Sequence, residues 1–309
     1  MQGRWCGAIA TLLLLLPPAA AAQPSPPPPA VTIGEVADPD SDDPTFVVTG
    51  QRQVRAAEVA AYVDTVLAAP RHDRVARWAE RLCLSITGLD DARRDFSGEI
   101  AAVGGRLNLD VGQRHCDPSA YVIFTADPAQ LLTRLEQDRP AFFGAIPRAA
   151  QRPLRDSRAP VRWLSWGELR GAQGQLPMGF SVAPGRGEVE RPVPSFRSTP
   201  SRLETGTRMD LQAMIVIVDM NRLAGISNRA LADYLSMVVL GNVRPDHGIV
   251  ALPSVLNLLA TQAGPAGNAA TELSRWDLSY LDALYAGTWN VPASQRIGVI
   301  RSAMRRPSD

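Results

Sequence analysis

The chain has 309 residues, 32 basic and 31 acidic side chains, and a formal charge of +1. So balanced a charge argues against nucleic acid as a partner, because phosphate binding needs a concentrated positive surface. Every basic residue is arginine; without lysine there is no Schiff-base, phosphate-loop or serine–lysine chemistry, which removes P-loop nucleotide hydrolysis and several covalent mechanisms.

Residues 1–22 have the form of a cleavable export signal. Arg4 supplies the positive start, Ala8 to Leu16 the apolar run, and Ala20-Ala21-Ala22 the small-residue cleavage site before Gln23. The run is less than half of the roughly 20 apolar residues a membrane span needs. Cys6 precedes it and so is not placed as a lipoprotein cysteine. The expected address is the periplasm or the exterior, with no transmembrane segment after cleavage. Of the three cysteines, Cys83 and Cys116 then remain, and two cysteines in an exported chain are expected to pair. Their bridge would close a loop of about 34 residues, worth ~3–4 kcal/mol in loop entropy. His115 beside Cys116 does not complete a zinc spacing.

Residues 23–45, Pro-rich and then acidic, read as a disordered linker. Phe46-Val47-Val48-Thr49-Gly50-Gln51-Arg52 reads as a strand entering a turn, and a similar short string occurs near the start of some TonB-dependent outer-membrane receptors. Residues 46–145 are expected to form a small α/β layer. Helix Val54–Ala69 carries Val54, Val59, Val63 and Leu67 on one stripe. Arg81–Thr87 alternates as a strand that ends at Gly88. Asp90 or Asp91 caps a helix to Val103, and Tyr121–Thr125 is a second strand. Asp127-Pro128 opens another helix, with proline at its first position.

Residues 146–206 form a Pro/Gly-rich connection. Val161–Trp166 reads as a strand with Trp163 on one face and Leu164 and Trp166 on the other. The tryptophans are expected in the core rather than on a binding surface. Gly171 to Gly187 reads as a long turn or hairpin tip, and Pro192 to Ser201 as a loop. The last stretch, 207–309, is the most regular. Met214–Val218 is a strand buried on both faces, ended by Asp219. Ser227 caps a helix with Leu231, Tyr234, Leu235, Val238 and Val239 on one apolar face. Pro253–Leu259 is a turn into an apolar segment. Ser274-Arg275-Trp276-Asp277 is a capping box with a Leu273–Leu278 staple; the helix it opens is expected to bury Leu278, Leu281, Leu284 and Tyr285. An amphipathic helix, Ser294–Arg305, follows. The expected fold class is α+β: a small N-terminal α/β layer plus a strand–helix C-terminal part.

Three segments of this C-terminal part, Tyr234–Gly241, Pro253–Asn257 and Leu273–Asp277 through Leu284-Tyr285, resemble in order and spacing the core of zincin metallopeptidases, especially metzincins. The chain also resembles exported proteins of Gram-negative bacteria with similar segments. The zincin resemblance implies a helix with two zinc histidines one turn apart, a third ligand after it, a methionine turn, and a closing helix. On that alignment the two histidine positions are Tyr234 and Val238, the general-base position is Leu235, the third ligand is Arg244, and the turn methionine is Leu256. None of these offers what zinc catalysis needs: valine has no lone pair, arginine repels a dication, and leucine cannot activate water. His247 follows the helix as a single imidazole, read as a loop residue. The resemblance therefore implies a degenerate zincin-like core, a pseudo-metallopeptidase with no zinc ligands; no metal or cofactor is expected.

No Gly-x-Ser-x-Gly elbow is present. Asp219 is the weak catalytic candidate, at the end of a buried strand, although a turn cap at Asn221 accounts for it better. The expected function is a non-catalytic exported binding or envelope-accessory protein, its ligand or envelope partner unidentified. The alternative is a hydrolase whose site the sequence does not locate.

Overall fold

The computed structural model describes residues 56–89, 93–112, 115–155, 159–181, 192–196, 204–260 and 269–306. The candidate caps Asp90 and Asp91 and the receptor-like string Phe46–Arg52 lie outside these residues.

The apolar stripe at helical spacing forms α1 (Ala56–Val66), which buries Val59, Tyr62, Val63 and Val66. The chain then turns at His72 and Asp73, both at positive φ. Arg71 and Arg74 close that turn through reciprocal backbone hydrogen bonds of 3.0 and 2.9 Å. Strand β1 (Leu82–Thr87) follows. It ends at Gly88, whose φ is +83° and where a Cβ would meet the Phe124 carbonyl oxygen at 2.0 Å. Only glycine fits there. Helix α2 (Arg93–Arg106), strand β2 (Val111–Gly112) and strand β3 (Ala120–Thr125) complete the first alternation. Cys83 on β1 and Cys116 ahead of β3 form a disulfide, with Cα atoms 6.0 Å apart.

Asp127 caps α3 (Pro128–Asp138), accepting from the Gln130 amide at 2.9 Å, with proline in the first turn as its fixed φ allows. Two short helices, α4 (Pro140–Ala145) and α5 (Arg148–Arg155), lead to β4 (Val161–Gly171). Strand β5 (Met178–Ser181) pairs antiparallel with β6 (Pro192–Ser195). The segment Pro192–Ser201 was expected to be a loop, and its first four residues are instead this strand. Two prolines spaced two apart point their donorless nitrogens to the same side, so one edge of a two-stranded ribbon tolerates both.

Strand β7 (Thr207–Asp219) is longer than its apolar centre and joins what precedes and follows it. The described residues form a five-stranded mixed sheet in the order β2-β1-β3-β7-β4. Strands β1, β2, β3 and β7 run parallel, and β4 runs antiparallel to β7 at one edge. The fold class is α+β. Met214, Val216 and Val218 join the large core formed with α1 and α2 and the helices that follow β7. Ile215 and Ile217, on the opposite face, join Leu132, Phe143, Ile146, Leu154 and Leu164. Strand β7 is thus buried on both faces, as its uninterrupted apolar run requires. Residues 52–309 form one compact unit, and segments from either side of the Pro/Gly-rich stretch share this sheet.

Ser227 caps α6 (Asn228–Gly241), accepting from the Ala230 amide at 3.2 Å. One apolar face was expected, but every residue from Ala230 to Gly241 is buried. The helix runs through the centre of the core, so even Asp233 and Ser236 are enclosed. Its final carbonyls, which no helical N–H can reach, are satisfied by aromatic donors from elsewhere. Trp78 Nε1 donates to Val239 at 2.7 Å, Tyr285 Oη to Leu240 at 2.7 Å, and Tyr280 Oη to Gly241 at 3.2 Å. Asn242 then turns the chain in the left-handed conformation.

A short helix α7 (Asn257–Ala260) follows the turn at Pro253, and α8 (Arg275–Tyr285) opens with the expected capping box of Ser274 and Asp277. Helix α8 buries Trp276, Asp277, Tyr280, Leu281, Ala283 and Leu284. Leu278, expected in this core, is only half-buried; the interior face of the helix is instead set by Tyr280, Leu281 and Leu284. The last helix is α9 (Ala293–Met304). No helix among the described residues is long and apolar enough to cross a membrane.

Candidate functional site

The turn at 253–257 is held by one buried carboxylate. Asp277 Oδ1 accepts from Ser254 Oγ at 2.5 Å and Tyr62 Oη at 2.7 Å; Oδ2 accepts from the amides of Val255 at 3.0 Å and Ser274 at 2.9 Å. Asn257 finishes the clamp, donating to the Val250 carbonyl at 3.0 Å and accepting from its amide at 2.8 Å. These bonds fix the turn to the start of α8 and to α1, and with it the position of Leu256.

A cavity of about 570 Å³ opens between α5, α6 and this turn. Tyr234 from α6, Leu256 from the turn, and Pro245, Asp246 and His247 from the loop between them line it, facing Arg152 and Pro153 of α5. His247 Nδ1 lies 2.5 Å from the Gly248 carbonyl, so that nitrogen carries the proton and Nε2 is left as an acceptor. Nε2 is buried and makes no hydrogen bond to a described residue. Burial lowers the His247 pKa, outweighing the Gly248 hydrogen bond and the Asp246 charge that raise it; the ring is neutral at pH 7. Tyr234 is 1 % exposed, and burial, then the Asp246 charge, drive its pKa upward. Beside the carboxylate of Asp246 and the guanidinium of Arg152, the cavity therefore presents a neutral phenol, a neutral imidazole acceptor and alkyl groups.

The positions aligned with zinc chemistry are divided by the fold. Tyr234 and Leu256 line the cavity, whereas Leu235 and Val238 are fully buried and absent from its walls. Arg244 lines a neighbouring groove and lies 3.4 Å from Asp246. Among the described residues no group of three or more His, Cys, Asp or Glu is arranged to hold a metal ion. The donor set does not fit zinc: one imidazole nitrogen, the Asp246 carboxylate and a protonated phenol fall short of the three or four ligands a zinc site needs. Asp219 is in neither cavity; its Oδ1 accepts from the Asn221 amide at 3.1 Å and caps the turn after β7. The Cys83–Cys116 disulfide fastens the far side of the sheet and contributes to neither cavity.

The second groove, about 920 Å³, shares Ala149, Pro153 and Asp246 with the first cavity and runs along β4. Its walls include Arg71, Trp163, Ser165, Trp166, Met209 and Asn242. Pairing of β4 with β7 shifts register between Trp166 and Gly167. Such a bulge locally re-aims side chains, and a Cβ at Gly167 would lie 3.1 Å from the Asp210 carbonyl oxygen. Arg71 reaches across to donate to the Ser165 carbonyl at 3.3 Å, its guanidinium 5.7 Å from the Trp166 ring centroid. Trp163, expected in the core, is only 6 % exposed, yet its indole N–H has no partner among the described residues and the residue faces this groove.

No known protein family matches the chain, and no curated protein or solved structure is significantly similar to it. Its chemistry rests on its own residues.

Proposed function

We propose that this is an exported, non-catalytic binding or envelope-accessory protein, built on a peptidase-like scaffold whose zinc ligands have been lost. The observation that carries the reading is the cavity wall of Tyr234, His247 and Leu256. Helix, loop and turn meet there around an open space, and they bring one imidazole, His247, rather than the set of ligands that binds and activates a metal.

Two features support a degenerate zincin-like core in particular. The three segments that resemble the family pack as one unit, since Asp277 of α8 holds the 253–257 turn and Tyr280 and Tyr285 of α8 cap α6. The positions that would carry metal chemistry are also the ones whose replacements are inert. The chemistry of the site supports binding in place of turnover: Tyr234 and His247 offer a neutral donor and a neutral acceptor, Asp246 and Arg152 add one charge of each sign, and no metal-ligand set or serine or cysteine nucleophile lines the wall.

The export signal at 1–22 and the Cys83–Cys116 disulfide support an oxidising compartment. The test uses the processed chain purified from the periplasm, assayed against denatured protein and mixed peptide substrates with and without a chelator. The reading expects no chelator-sensitive cleavage. Cleavage that a chelator abolishes would return the protein to the active peptidases, and cleavage a chelator does not affect would favour the hydrolase alternative.

A further inference from the structure

The segment 245–249, between α6 and the 253–257 turn, is tied down at its two ends. Before it, the Arg244 amide donates to the Val66 carbonyl at 2.9 Å, and Leu67 and Val243 form an isolated antiparallel bridge. After it, Val250 exchanges two hydrogen bonds with the Asn257 carboxamide, at 2.8 and 3.0 Å. Between these anchors no backbone–backbone hydrogen bond among the described residues ties 245–249 to a helix or strand. Asp246, Gly248 and Ile249 are exposed. Pro245, Asp246 and His247 nevertheless line the cavity, and Asp246 also lines the groove along β4. A shift of this segment would reshape both spaces where they meet.

His247 suits the closed arrangement only while it is neutral. Its Nδ1 is committed to the Gly248 carbonyl at 2.5 Å, and its Nε2 is enclosed with no partner among the described residues. A proton added at Nε2 would be a buried donor and a buried charge at once. No acceptor stands ready for it. Asp277 of α8 already accepts from Ser254, Tyr62, Val255 and Ser274, and Asp246 lies 3.4 Å from Arg244. Arg244, and Arg152 of α5 on the same cavity, add positive charge, while Tyr234 of α6 is a protonated phenol. Burial outweighs the two carboxylates and holds the imidazole below its ordinary 6.5.

Building on the proposed binding role, we propose that residues 245–249 form an acid-operated flap: protonation of His247 at Nε2 drives the ring out to water and opens the cavity wall. The open state has the ordinary imidazole value and the closed state a lower one, so the closed state binds fewer protons over the interval between them. Closure is therefore at full strength above about pH 6.5 and is lost as pH falls toward the closed-state value. Within that interval the ratio of open to closed molecules rises close to tenfold for each pH unit. A ligand held at neutral pH is released in acid.

The test follows the processed full chain by NMR from pH 8 to pH 5, without ligand, reading the histidine ring signals and the backbone ¹H–¹⁵N signals. The His247 ring signal is assigned by His247→Asn, which keeps a donor for the Gly248 carbonyl and cannot titrate. The wild-type ring is expected to titrate below 6.5, and the amides of Gly248, Ile249 and Tyr234 to move with the same midpoint. In His247→Asn that shared transition is expected to vanish. Should the variant not fold, the wild-type titration decides alone. A His247 midpoint at or above 6.5, amides that stay still while the ring titrates, or a transition that persists in His247→Asn each overturns the flap. None of these outcomes involves zinc or cleavage. A failed flap leaves the binding role standing, and chelator-sensitive cleavage would remove that role without touching the titration.

Discussion

Tyr62, in the first helix, donates a 2.7 Å hydrogen bond to the carboxylate of Asp277, 215 residues later in the chain. Burial, then the Asp277 charge, raises the Tyr62 pKa, so the phenol stays protonated and remains a donor. Through Ser254 and the Val255 amide the same carboxylate sets the turn that lines the cavity. Tyr62→Phe should cost about 1–2 kcal/mol, one buried hydrogen bond to a charged acceptor. Asp277→Ala should cost about 3 kcal/mol or more, because several enclosed donors lose their acceptor together. Urea unfolding of both variants measures this; a neutral Asp277→Ala would mean the turn is held by packing alone.

Asp233 gives a pH signature. It sits inside the core on α6, accepts from the Leu273 amide at 3.1 Å, and lies 3.6 Å from Arg229. Burial dominates and raises its pKa above the ordinary 3.8. An acid with a raised folded pKa binds more protons in the native state than in the unfolded state over the interval between the two values, so its contribution to stability falls as pH rises through that interval. Asp233→Asn keeps an acceptor for Leu273 and removes the charge. The difference in stability between variant and wild type should grow in the variant's favour from about pH 4 upward, as read by denaturant unfolding across pH. A difference that does not change with pH would show that Asp233 is as well solvated by its partners as by water.

The disulfide should be complete. Thiol labelling of the native chain is expected to find neither Cys83 nor Cys116 reactive. The sequence separation of 33 implies a loss of about 3–4 kcal/mol on reduction from loop entropy. Labelling at either residue under native conditions would contradict the pairing.

Leu281 and Leu278 separate the true interior face of α8 from the face expected for it. Leu281 is fully buried, so Leu281→Ala should cost about 2–5 kcal/mol. Leu278 is half-buried, and its truncation should cost about 1 kcal/mol or less. Similar losses at both positions would mean that the helix is rotated from the described orientation.

Local chemistry announced itself wherever the sequence specified both partners of an interaction. Ser274 and Asp277 stand at capping-box spacing, Asp127 precedes a proline that suits the first turn of a helix, and the apolar centre of β7 leaves no polar face for solvent. Leu278 was misjudged because a helical stripe of leucines does not say which turn faces inward when Trp276 and Tyr280 compete for the same core. Helix α6 was expected to bury one face, formed by Leu231, Tyr234, Leu235, Val238 and Val239, but Asp233 and Ser236 are buried as well. The sequence does not reveal that Asp233 is engaged by the Leu273 amide and Ser236 by the Ala232 carbonyl, which makes their burial tolerable.

The candidate site was less visible for a different reason. Tyr234 and Leu256 were marked out by their place in a recognisable order of segments. Arg71, Trp163 and Asn242 come from three distant stretches that only the sheet order and the bulge after Trp166 bring to one groove. The single usable signal was Trp163 in a strand with aromatic residues on both faces, and burial explained it until its unpartnered indole N–H was in view.

Zinc content of the processed protein, measured by elemental analysis after incubation with excess zinc and removal of loosely held ions, bears most directly on the proposed absence of metal chemistry. Less than one-tenth of an equivalent is expected, because Tyr234 and Val238 cannot replace two imidazoles. One equivalent of tightly bound zinc, lost together with His247→Ala, would contradict the proposed non-catalytic role.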